Sequence, residues 1–84
     1  MTIWETRVYD DDFDIEKRYF TKKESAIFYL VQEYEKDRGA SYSKEVRDLY
    51  SNYIATYNKD ILDKLIRILD SEYFEISDIE VTED

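Results

Sequence analysis

Apolar and polar residues alternate near both ends of this chain and recur every three to four residues between them. In "TIWETRVY" (residues 2–9), Trp4, Thr6 and Val8 fall on one side of an extended backbone, and the β-branched and aromatic content favours a strand. "DDD" follows as a turn, because Asp side chains hydrogen-bond their own backbone there. "FDIEKRYF" alternates again through Phe13, Ile15, Lys17 and Tyr19, which predicts the second strand of a hairpin. Neither face of that strand is cleanly apolar: Lys17 interrupts one set and Phe20 ends the other.

The period then changes. Ile27, Leu30, Val31 and Tyr34 stand at i, i+3, i+4 and i+7, one stripe of a helix. Thr21 with Glu24 three residues on reads as a capping box at its start. Gly39, the sole glycine, follows "EKDR", where a helix end favours a residue with positive φ. Ser43 is placed to cap a second helix with Val46, Leu49, Tyr50, Tyr53, Ile54 and Tyr57 on one stripe. "NKD" at 58–60 can close that helix and cap a third carrying Ile61, Leu62, Leu65, Ile66, Ile68 and Leu69. With no Pro or Gly in between, a single kinked helix through 44–70 is the alternative.

"EYFEISDIEV" returns to strand character. Phe74 and Ile76 fall on one face, Ile79 and Val81 on the other, which places a bulge or turn at Ser77-Asp78. The expected fold is α+β: an N-terminal hairpin, two or three helices, and a C-terminal strand completing a three-stranded antiparallel or mixed sheet. Two strands alone would be marginal, so the last strand is expected to join the hairpin beside the first.

Composition adds limits. Eighty-four residues are expected to form a single domain, 1–84, since two cores would each be too small. Without Cys, neither disulfides nor thiolate metal sites can reinforce it. An aromatic content of 17%, with nine Tyr, supplies large side chains for a thin core. The first residues lack the basic start and apolar stretch of a secretory signal, and no apolar run approaches the ~20 residues that span a bilayer. A soluble protein of the cytoplasm is the expectation.

Net charge is −9, and its distribution says more than its total. Residues 1–69 hold 14 acids against 12 bases, whereas 70–84 hold seven acids and no base. A second cluster comprises Asp10, Asp11, Asp12, Asp14 and Glu16, beside Lys17 and Arg18. Such a chain repels nucleic acid and anionic membranes and attracts basic protein surfaces. The candidate partner-binding residues are Asp10, Asp11, Asp12, Asp14, Glu72, Glu75, Asp78, Glu80 and Glu83. On a strand, Asp78 and Glu80 form a row with about 6.5–7 Å between charges. If the hairpin acids fold alongside, one end of the molecule becomes a partial mimic of DNA.

Chemistry beyond binding finds few parts. Asp10, Asp12 and Asp14 match the first three spacings of a calcium-binding EF-hand loop, but Ile15 stands where Gly is required and Thr21 where Glu is required. No metal or cofactor is expected. With neither His nor Cys, the commonest general base and the commonest metal ligand are missing, and nothing marks two acids as a catalytic pair. The expectation is a protein that is not an enzyme.

The run "YFTKKESAIFYLVQEYEK" (residues 19–36) resembles a strand-to-helix segment of small phage proteins. Size, acidity and Tyr content are similar to those of phage-encoded anti-defence inhibitors such as anti-CRISPR proteins, and of DNA-mimic inhibitors of uracil-DNA glycosylase. The resemblance implies an inhibitor acting in a bacterial cytoplasm, occluding a basic surface of a host nucleic-acid enzyme such as a nuclease. It assigns no individual residue. The alternative expectation is a non-catalytic homodimer or larger homo-oligomer formed through the Tyr-rich helical surface.

Overall fold

A computed structural model of the chain describes residues 1–9, 14–39, 41, 43–70 and 74–82. The elements run β1 (Thr2–Tyr9), β2 (Ile15–Phe20), α1 (Lys23–Arg38), α2 (Lys44–Thr56), α3 (Lys59–Leu69) and β3 (Phe74–Glu80). The three strands form one antiparallel sheet in the order β2-β1-β3. This is the α+β arrangement that the periodicity predicts, with the C-terminal strand beside the first.

Registers assign the faces. Trp4 pairs with Phe20 and Asp78, Thr6 with Arg18 and Ile76, and Val8 with Glu16 and Phe74, so these residues share one side. The helices lie on that side. Arg18 sits over the Tyr29 ring, 5.0 Å from its centroid, and Tyr34 meets Phe74 at 6.0 Å. Thr6 at the sheet centre is fully buried. The core joins Ile27, Leu30 and Val31 of α1, Val46 and Tyr53 of α2, Leu62, Leu65 and Leu69 of α3, and Phe74. Each helical stripe expected from the sequence supplies these positions.

Three local expectations are corrected. α1 has Lys22, not Thr21, at its N-cap, and no side chain caps it. The first turn closes from the Ala26 N–H to the Lys22 carbonyl at 3.2 Å. Lys22 is extended (φ −119°, ψ 130°), so the chain uses it to cross from the sheet to the helix layer before turning. Second, β3 runs without a bulge: every residue from Phe74 to Glu80 has its β1 partner in register. Ile79 therefore emerges on the open face opposite Ile3, and the break in apolar alternation marks the use of both faces. Third, Ser43 takes the N-cap position of α2 but makes no side-chain cap bond, and it is fully buried.

Of the two arrangements open for residues 44–70, the chain adopts two helices. Tyr57 turns left-handed at φ 52°, and the Asn58 side chain accepts a 2.8 Å bond from the Asp60 N–H to cap α3. Gly39 ends α1 at φ +85°, ψ 161°, a conformation that side chains rarely adopt. Among the described residues no helix is long and apolar enough to cross a membrane.

Candidate functional site

β3 is an edge strand, because among the described residues its second side meets no further strand of the sheet. It carries three of the predicted binding acids. The pleat sends Asp78 and Glu80 to the helix side with Phe74 and Ile76, and Glu75 to the open side with Ser77 and Ile79. The row expected for Asp78 and Glu80 is therefore present, and both are exposed.

Each acid has different surroundings. Glu80 accepts from the Thr2 hydroxyl at 2.7 Å and pairs with the N-terminal amine at 3.3 Å. Asp78 lines a shallow cleft of about 330 Å³ with Trp4, Lys23, Ile66 and Ile76, and among the described residues it has no ion pair. Glu75 accepts from the Tyr9 hydroxyl at 3.1 Å and lies 3.7 Å from the Arg7 guanidinium. Asp14 is exposed just before β2. Asp10, Asp11, Asp12, Glu72 and Glu83 lie outside the described residues.

The four candidate acids among the described residues do not gather at one end. Val8 pairs with Phe74 at the end of β1 where the hairpin turns, and Thr2 pairs with Glu80 at the other. Those two positions are about 20 Å apart along the strand. Asp14 and Glu75 thus belong to the hairpin end, and Asp78 and Glu80 to the opposite end. Among the described residues, Glu75, Asp78 and Glu80 are drawn out along the β3 edge instead of being massed.

The open sheet face holds a polar cluster that the strand alternation implied but the sequence reading did not pick out. Ile3, Glu5, Arg7 and Tyr9 share this face, and only the β3 register adds Glu75 to it. Glu5 is 6% exposed and accepts from the Arg7 Nε at 2.5 Å. The Arg7 guanidinium, then the Tyr19 hydroxyl, hold its carboxyl below the usual glutamate range. A carboxylate held in this way acts as a fixed acceptor at neutral pH. Its stabilising effect is complete above the ordinary glutamate pKa and is lost as pH falls through the lowered one. Thermal melts from neutral pH to about pH 2.5 should therefore show an acid limb that Glu5→Gln flattens; an unchanged limb would remove Glu5 as its source.

A second groove, also about 330 Å³, runs between α1 and α2. Phe28, Val31 and Tyr50 line it, with Glu35 and Arg47 3.6 Å apart at its rim. Phe28 is exposed and lies 5.4 Å from the Tyr50 ring. Among the described residues no cluster of three or more acids is placed to hold a metal ion. No protein-family model matches the chain, and comparisons with curated proteins and with solved structures find no similar protein.

Proposed function

We propose that this protein is a non-catalytic binding module of the phage anti-defence type, an anti-CRISPR-like inhibitor that occludes a basic nucleic-acid-binding surface of a host enzyme such as a nuclease. The observation behind this reading is the β3 edge, where exposed carboxylates project from a segment, 70–84, that contains no cation. Asp78 and Glu80 stand two residues apart, about 6.5–7 Å. That is close to the axial rise of two phosphates on one DNA strand, at ~3.4 Å each. The edge is a sparse, one-sided imitation of a phosphate row, suited to part of a basic channel. Its exposed charges would steer association and be screened by salt. Capture from a bacterial lysate should recover a protein with a basic channel, and its affinity should fall at least about tenfold between low and physiological salt. A partner whose binding ignores salt would exclude this mechanism.

A second reading rests on the α1–α2 groove. Phe28, against the Tyr50 ring, is 45% exposed, and Tyr57, against the Tyr53 ring at the end of α2, is 63% exposed, aromatic surface that suits self-association through the helices. A Phe28→Ser chain that self-associates as strongly as wild type would remove it.

A further inference from the structure

β2 is the other edge of the sheet, and no part of the proposed acidic docking edge lies on it. Every residue from Ile15 to Tyr19 is exposed, and only Phe20 is half-buried. Ile15 is 48% and Tyr19 57% exposed, both on the open face. On the helix side, Glu16 and Arg18 form a 3.0 Å ion pair with more than half of each side chain in solvent. A strand with one uncovered edge presents a row of backbone donors and acceptors to another strand.

We infer that this edge pairs with β2 of a second copy, antiparallel and centred on Lys17, to give a dimer with one continuous six-stranded sheet. The occupant follows from the order of side chains. In an antiparallel pair centred on residue 17, position 16 of each copy faces position 18 of the other, and 15 faces 19. Glu16 then meets Arg18 of the second copy, twice by symmetry, and Ile15 meets Tyr19, also twice. Opposite charges and aromatic–β-branched pairs directly across a ladder are the favourable combinations. The single unfavourable contact is Lys17 against its own copy on the axis.

Neighbouring registers do worse. A one-residue slip sets either Lys17 against Arg18, or Ile15 against Arg18 with Glu16 against Lys17, and in both cases it turns the helices of one copy to the open face of the other, which rules it out. A two-residue slip sets Glu16 or Arg18 against itself. The β3 edge offers no such match: its charged residues Glu75, Asp78 and Glu80 are all acidic, so a second copy there would meet only like charge. Self-complementarity therefore belongs to β2 alone of the two edges. In the dimer the strand order is β3-β1-β2-β2-β1-β3, which leaves an acidic edge free on each side. Five residues per copy, Ile15 to Tyr19, make a small contact, short of the ~800 Å² per partner of standard interfaces, so the dimer belongs to the weak, reversible class.

Charge exchange tests the pairing and its register together. Sedimentation equilibrium over about 10–500 μM should show wild type passing from monomer to dimer. E16K and R18E each place like charges across the axis and should dimerise at least about tenfold more weakly. Mixed in equal amounts, they place two cations opposite two anions and should regain dimer, seen as the heterodimer mass in native mass spectrometry. The double exchange E16K/R18E restores both the in-chain pair and the cross-copy pairs and should dimerise like wild type. Thermal melts check that each chain is folded. The inference is overturned by a wild type that stays monomeric throughout, by single variants that dimerise as well as wild type, or by a mixture no more associated than its components.

Discussion

Phe74→Ala should destabilise the protein by about 3–5 kcal/mol, the range for removing a buried aromatic side chain. Phe74 is 2% exposed, and it is the residue through which β3 enters the helix–sheet core, against Val8 and the Tyr34 ring. Among the described residues, none of the same core can collapse into the space easily. Thr6 and Ile76 are fixed by the sheet ladder, and Leu30 and Leu69 belong to helices held by other contacts. Small domains have about 5–15 kcal/mol in total, so the loss is a large fraction. The melting temperature should drop by more than about 15 °C. Val81→Ala, an exposed change just past the same strand, should shift stability by less than about 0.5 kcal/mol. Equal melts for the two variants would mean that β3 is not anchored through Phe74.

Helical periodicity was the most readable part of the sequence, because burial on one side imposes a 3.6-residue repeat whatever the tertiary partner. Val46, Tyr53, Leu62, Leu65 and Leu69 are buried where their stripes placed them. Strand pairing was readable in order but less so in detail. β2 gave no apolar face because it has none to give: it lies at the edge, and its exposed residues answer to solvent or to another chain. The misplaced cap at Thr21 and the absent bulge at Ser77-Asp78 have a common cause. Local signals there compete with a tertiary constraint, the crossing to α1 in one case and the β1 register in the other.

The candidate site was legible as composition and not as geometry. Seven acids in 70–84 are visible in the sequence, but the sides on which they stand depend on where β3 pairs. Glu75 could not be separated from Asp78 and Glu80 without that register. Once it is known, Glu75 joins Arg7 and Tyr9 on the open face, leaving Asp78 and Glu80 as the exposed pair. Glu5 and Arg7 could have been noticed as i, i+2 neighbours on β1, yet the burial of Glu5 required the sheet centre to be assigned.

The charge reversal D78K/E80K/E83K should separate binding from folding. Asp78 has no ion pair among the described residues, so its reversal breaks nothing internal. Glu80 gives up its contacts with Thr2 and the N-terminal amine, an exposed pair of the kind that contributes about 0–1 kcal/mol. Reversal also relieves repulsion within a segment of seven acids, so the melt should stay close to wild type. Binding to a basic partner should instead weaken by about 100-fold or more, since the changes at Asp78 and Glu80 replace attraction with repulsion on one row. Glu75 is left out on purpose: changing it would disturb the Arg7 and Tyr9 contacts of the sheet and confuse the two effects. The control is E33K/E35K on α1, which removes the exposed pairs with Lys36 and Arg47 and should leave affinity within a few-fold of wild type. Binding curves and melts on both chains decide the matter. A triple variant that melts normally and binds its partner as tightly as wild type would reduce the acidic edge to a solubilising surface, and the α1–α2 groove would become the leading contact.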